Sequence, residues 1–324
     1  MRRVIGLTLA GLGAFLIVVA VLLRVYVSGQ VVKFPVNTYV VTTLTGTNVS
    51  YFSPSLVRPV TGATMRVTDT VKGDSAASSS STAVWNEFTY LYDVTNSKVF
   101  QYSSRRAAFD RRTSQLVSCC GASIGGNTSI RQTGVSGYVW PMGAQKTTYN
   151  VFDTTFDRPM PYRFEGTGTI AGITVYRFVE QVADARAGSQ TLPGSLVGSP
   201  NQPSVTLPEY DTATNTDWVD PVTGAILKVS ETQQLILRDA TGAHTLLLFD
   251  GHLAMTPKSV QQAVNLDTTG RSQLSLLQVI VPLTAGLVGI AALVGGILLA
   301  RLRPDEQPQE AGDLEPEPVL DPAV

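Results

Sequence analysis

Residues 274–300 read LSLLQVIVPLTAGLVGIAALVGGILLA, an uncharged run closed by Arg301 and Arg303. A bilayer core of about 30 Å needs roughly 20 apolar residues at about 1.5 Å each, so the run predicts a transmembrane helix. A second run, residues 4–23 (VIGLTLAGLGAFLIVVAVLL), lies between Arg2-Arg3 and Arg24. A cleavable signal carries a shorter apolar stretch of about 7–15 residues and a small-residue exit. Arg24-Val25-Tyr26 in that place predicts an uncleaved anchor. The expected plan is therefore a cytoplasmic N-terminus (1–3), a membrane helix (4–27), an extracytoplasmic domain (28–273), a second membrane helix (274–300) and a disordered acidic tail (301–324).

Charge sets the orientation and excludes one class of partner. Arg2, Arg3, Arg301 and Arg303 flank the outer ends of the two runs, against Arg24, Lys33 and Arg271 at the inner ends. Long domains cross largely regardless of charge, so the short basic termini predict a plasma-membrane protein with both ends cytoplasmic. Seven acids (Asp305, Glu306, Glu310, Asp313, Glu315, Glu317, Asp321) crowd the tail, a candidate docking segment for a membrane-protein partner. With these and the five arginines at the span ends set aside, the 24 basic and 25 acidic side chains leave 19 and 18 between the spans. That balance leaves no basic domain to neutralise phosphates, so no nucleic acid is expected. His244 and His252 have no Cys or His at ligand spacing, so neither a metal nor a cofactor is expected.

From residue 39 onward the dominant pattern is alternation. In TMRVTDTV (64–71), Met65, Val67 and Asp69 share one face. Similar runs recur at 88–94, 98–102, 147–152, 173–182, 226–237 and 245–249, each bounded by Asp, Asn, Gly or Pro. The expected fold is a membrane-anchored, mainly antiparallel β domain between N- and C-terminal transmembrane helices. Asp220-Pro-Val-Thr-Gly224 places Pro at the second turn position with a Gly downstream for positive φ, and residues 239–242 and 95–97 mark further hairpins. Residues 73–82 read as a flexible loop, and residues 188–217, with four prolines, as a long surface excursion and candidate lid. Thr256-Pro257 predicts a capped helix with Val260, Ala263 and Val264 on one face, ending near Gly270.

Several landmarks then occur in order: Cys119-Cys120-Gly121, Gly137-Tyr-Val-Trp-Pro-Met-Gly143, Lys146-Thr-Thr-Tyr149, Phe152-Asp-Thr-Thr155, Gly172-Ile-Thr-Val-Tyr-Arg-Phe178 and Trp218-Val-Asp-Pro-Val-Thr-Gly224. Together they resemble the actinobacterial porin PorA family of double-spanning envelope proteins. The resemblance implies a cell-envelope location and a β-rich domain held at both ends. The spans themselves show no polar row of the kind an aqueous pore needs; Thr8, Thr284 and Gln278 stand isolated.

Chemical candidates are few. Gly121-Ala-Ser123-Ile-Gly125 matches a nucleophile pattern, with Asp220 or Asp239 and His244 or His252 in a suitable chain order, but Gly126-Asn-Thr-Ser129 is poor helix material, so the loop reading is preferred. Cys119 and Cys120 suit a vicinal disulfide. Arg105, Arg106, Arg111 and Arg112 bracket Asp110 and suit either an anionic headgroup or a solvated hairpin edge. Ala285/Gly289, Ala291/Gly295 and Ala292/Gly296 are small-residue pairs suited to close helix packing. No catalytic constellation is visible, so no enzyme is expected. The expected role is to bind or pass a hydrophobic envelope component such as a lipid, with an oligomeric channel or a scaffold subunit as the alternatives.

Overall fold

A computed structural model describes residues 2–27, 32–54 and 56–301. The acidic tail beyond Arg301, including Arg303, lies outside the described residues. The chain falls into two compact units, divided between Ser28 and Gly29 and again between Leu276 and Leu277.

The first unit contains helix α1 (Arg2–Leu22), continued by a π turn (Leu23–Val27), and the C-terminal helix Val281–Arg301. Both helices are long and apolar enough to cross a membrane. Glycines set their contact. Gly6 and Gly13 face Gly296 and Gly289 backbone to backbone, and a Cβ on Gly13 would collide with Leu293 N and Gly289 O. Gly289 and Gly296 thus serve the pairing within the chain, with Ala285 and Ala292 half-buried nearby. The third expected pair lies away from this contact: Ala291 is exposed, and Gly295 has open space where a Cβ would stand. Thr8 and Thr284 each return their hydroxyl to carbonyls one turn back, so they add no polar row to the spans.

The second unit is one antiparallel sheet. Its strands are β1 (Tyr39–Ser53), β2 (Arg58–Gly73), β3 (Thr82–Asp93), β4 (Lys98–Asp110), β5 (Ser123–Ile124), β6 (Tyr149–Asp153), β7 (Arg158–Ile170), β8 (Ile173–Leu192), β9 (Val205–Val219), β10 (Ile226–Arg238) and β11 (Thr245–Met255). The spatial order is β5-β4-β3-β2-β1-β11-β10-β9-β8-β7-β6, so successive strands pair antiparallel except β5 and β6, which lie at the two edges, and the first strand meets the last. Every run that alternates in the sequence falls on one of these strands, apart from an end residue or two.

The far ends of this sheet are joined through the irregular segment between β4 and β6. Phe109 on β4 bridges Leu116, Gln115 bridges Val135, and Val135 bridges Val151 on β6 in parallel. Bonds from Leu116 N to Gly134 O and from Val135 N to Asn150 O, both 2.8 Å, carry the ladder across. The sheet therefore closes on itself at this level, and its edges find backbone partners.

Three expectations are corrected. Residues 188–217 form no lid: β8 runs to Leu192 and β9 begins at Val205, with Pro208 itself paired to Ser189, so the loop shrinks to the segment between those strands. Its 3-10 turn (Gly194–Val197) is anchored by Val197, Leu207 and Leu237, all buried. Residues 73–82 are not loose either. Asp74 Oδ1 accepts from Ala77 N, while Ser78 Oγ donates to Asp74 O and accepts from Val84 N. Helix α2 (Pro257–Ser275) does begin at a Thr256 cap, whose hydroxyl accepts from Ser259 N, and packs Val260, Ala263 and Val264 inward. It does not stop at Gly270, because a single glycine costs only about 1 kcal/mol in a helix. The chain remains helical through a π turn (Leu276–Ile280) into Val281–Arg301, here called α3.

Candidate functional site: an acidic interior

Period-2 geometry sends alternate side chains of each strand inward. Along β8 the inward set is Tyr176, Phe178 and Glu180; along β9 it is Asp211, Ala213, Asn215 and Asp217. The register aligns Glu180 with Tyr162 and Asn215, and Phe178 with Asp217. Asp69 on β2, Glu87 on β3 and Glu231 on β10 occupy the same parity in their strands. Asp153 ends β6.

These acids share one space. The field of Glu231 reaches Asp69, and Glu231 in turn feels Asp217, Asp153 and Glu87. Strands β3, β6 and β10 are far apart in the sheet order. Only a common interior brings their carboxylates within reach of one another. Burial pushes Asp69 up to about 8, with the Glu87 charge adding to it. Burial likewise raises Glu180 and Glu231 to about 7, and Asp211 and Asp217 to about 6. Glu87 and Asp153 also move upward, again through burial. Loss of water around the charged form is the shared cause, and repulsion between like charges adds to it at Asp69, Glu180, Asp211 and Glu231.

Two of these groups have an oxygen left over. Glu180 accepts from Asn215 Nδ2 at 2.7 Å and Asp211 from Gln233 Nε2 at 3.1 Å, yet Glu180 Oε1 and Asp211 Oδ1 are buried without a hydrogen-bond partner. By contrast Asp69, Glu87, Asp153 and Glu231 are only half-buried.

Arg105 brings positive charge into this setting. It is 7 % exposed, donates from Nε to Gln132 Oε1 at 2.9 Å and from Nη1 to Ser136 O at 2.8 Å, and sits over the rings of Tyr138 and Phe152. Its charge partly offsets the upward shift of Glu87. Adjacent Arg105 and Arg106 take different directions: Arg105 points inward, whereas Arg106 points outward to Asp74 (2.9 Å), Asn86 and Cys120 O. Arg111 binds the carbonyls of Phe34, Ser79 and Ser80, and Asp110 is taken up by Thr113 and the Arg112 backbone. Arg105, Arg106 and Arg111 thus serve three different places instead of one patch.

The segment 137–143 crosses the interior. Tyr138 packs near Trp85 and Phe109 on the β3–β4 side. Beyond it, Trp140 is fully buried, stacks on Phe178 with centroids 4.0 Å apart, and meets Tyr149 and Tyr162 edge-on. Its Nε1 donates to Asp217 Oδ2 at 3.1 Å, and its backbone N to Gly224 O at 2.8 Å. Gly224, at φ +76°, lies so close to this crossing that a Cβ there would collide with Trp140 O. The Asp-Pro-Val-Thr-Gly turn thus holds the crossing segment in place.

The other candidate residues are also placed. Cys119 and Cys120 are joined as a vicinal disulfide in an exposed turn, with Cys120 at φ +63°. Ser123 lies in β5, paired with Arg106, and positive-φ Gly125 and Gly126 follow it, so the strand–turn–helix that a nucleophile elbow needs is missing there. Asp220 binds Thr223 and Arg271, and His252 binds Thr232. Among the described residues no three His, Cys, Asp or Glu side chains converge on a point that would hold a metal ion. The interior acids form a belt, not a chelate.

A family model described as Porin PorA matches residues 5–298. No match is found among the curated proteins.

Proposed function

The chain belongs to the porin PorA family, and we propose that its β unit is the acidic vestibule of an envelope channel that admits cations. The observation that carries this reading is the belt of inward carboxylates from β2, β3, β6, β8, β9 and β10. Such a belt lowers the energy of a cation and raises that of an anion inside a space of reduced dielectric. The expected envelope-lipid ligand is less well supported, because an acyl chain gains nothing beside the polar carboxyls of Asp69, Glu87 and Glu231. The Gly6/Gly13 and Gly289/Gly296 faces of the spans are already paired with each other, so pore formation requires further copies of the chain or a partner membrane protein.

The full chain, reconstituted in planar bilayers under a KCl gradient, is expected to give a reversal potential on the cation-selective side. Selectivity should fall several-fold between pH 8 and pH 5 as the belt takes up protons, and Glu231→Gln with Asp69→Asn should imitate the low-pH state. Anion selectivity, or absence of conductance, would sink the proposal.

On the same reading the β unit lies outside the plasma membrane and both ends inside, on the strength of Arg2, Arg3, Arg301 and Arg303. Ser75 is exposed in the turn after β2. A Ser75→Cys variant in intact cells should react with an impermeant maleimide, and protection of that thiol until lysis would reverse the orientation.

A further inference from the structure

Away from the acidic interior, the β8–β9 loop and the β10–β11 hairpin bring together three side chains distant from the nucleophile pattern in the sequence. Asp239 Oδ2 lies 2.6 Å from His244 Nδ1, and His244 Nε2 lies 3.1 Å from Ser199 Oγ. We propose that Ser199, His244 and Asp239 form a hydrolytic site for carboxylic esters, with Ser199 as nucleophile, His244 as general base and Asp239 as positioning residue.

Each member is held by its own loop. Asp239 opens the turn that ends at His244; its Oδ1 accepts from Thr241 N at 3.0 Å and Thr241 Oγ1 at 2.9 Å, which leaves Oδ2 for the imidazole. The hydrogen bond from His244 holds the Asp239 carboxyl well below the ordinary carboxylate range, so it is ionised and fixes the proton on Nδ1. Nε2 is then the basic nitrogen, and it faces the serine hydroxyl. Ser199 follows Gly198, whose φ of +77° turns the chain and whose open side lies against the His244 ring. Ser199 N donates to Gly194 O at 2.8 Å, and a Cβ on Gly194 would collide with Ser199 O, so the loop accepts no side chain at that position.

The site is reachable. The side chains of His244 and Asp239 are 34 % and 24 % exposed, and Ser199 is half-buried. Leu196 and Leu246, which lie close in sequence to Ser199 and His244, belong to the apolar cluster beneath the loop and suit a short aliphatic acyl group. In the first step His244 Nε2 takes the Oγ proton as Ser199 attacks the ester carbonyl carbon. The carbon–oxygen bond to the alcohol breaks, and the same proton leaves with the alkoxide. Water then attacks the acyl-serine, passes its proton through Nε2 to Ser199 Oγ, and releases the acid. The balance is ester plus water to acid plus alcohol.

The test uses the full chain in detergent micelles with a fluorophosphonate probe and, separately, p-nitrophenyl butyrate. Phosphonylation mapped to Ser199 is expected, together with ester turnover that Ser199→Ala abolishes. His244→Ala and Asp239→Asn should lower kcat by about 10²–10⁴-fold, the latter with KM unchanged. A hydrogen-bonded clasp without activity would show no labelling of Ser199. That outcome, or turnover that persists in Ser199→Ala, overturns the proposal whatever the channel measurements give.

Discussion

Trp140→Ala should lower the melting temperature of the β unit by about 10 °C or more. The indole is fully buried and stacks on Phe178 while two tyrosines close its edges. Removing a buried Trp costs about 3–5 kcal/mol, and for a domain near this size each kcal/mol corresponds to about 2–4 °C. A second contribution follows from Asp217, whose carboxylate loses the Nε1 donor inside an already dehydrated space. Trp140→Phe separates the two, since it restores most of the stacking without the N–H; it should recover more than half of the loss. Thermal unfolding followed by circular dichroism checks both variants. A shift below about 3 °C for Trp140→Ala would mean that the crossing segment does not hold the two sides of the interior together.

The β unit should also be less stable at pH 8 than at pH 5.5, the reverse of the common behaviour of paired surface carboxylates. An Asp or Glu that holds its proton more tightly in the folded chain contributes fully below its unfolded pKa and loses that contribution as pH rises through its folded value. Here the folded values are about 6 for Asp211 and Asp217, about 7 for Glu180 and Glu231, and about 8 for Asp69. The loss therefore sets in above about pH 4 and is complete by roughly pH 8. For Asp217 alone, 7 % exposed, it is on the order of 2–3 kcal/mol. Asp93 and Asp110 work in the opposite sense. Burial would raise them, but their hydrogen bonds outweigh it, so their contribution is lost only as pH falls below the ordinary carboxylate range. Stability should accordingly peak at about pH 4 to 5. Asp217→Asn should flatten the alkaline limb, and a melting temperature that climbs from pH 5.5 to pH 8 would contradict the acidic interior.

The spans and most strands were legible because their signals are local. An uncharged run of membrane length, or a stretch in which Met65, Val67 and Asp69 alternate with polar residues, specifies its own conformation. The closure was not legible, because residues 114–136 carry no period and join β4 to β6 by isolated bridges. The acid belt was half visible: Asp69 already sat on the apolar face of its strand, and Glu180 shares a face with Phe178. What the sequence lacks is the ring that makes such positions neighbours. The arginine cluster shows the opposite limit of a local reading. Arg105 and Arg106 look like one charged patch, yet adjacent strand residues point to opposite faces, so one enters the interior and the other meets Asp74. The Asp239–His244 pair lies within one hairpin, but Ser199, 45 residues before His244, comes from a Pro-rich loop without a recognisable motif.

Infrared difference spectroscopy of the carboxyl C=O stretch, titrated from pH 4 to 9 on the full chain in micelles, reads the protonation of the acidic interior itself. The structure predicts a protonated-carboxyl band that persists at pH 6, fades between about pH 6 and 8, and weakens in Asp69→Asn and Glu231→Gln. A spectrum in which every carboxyl is ionised by pH 5.5, unchanged by those substitutions, would contradict the belt and with it the proposed route for cations.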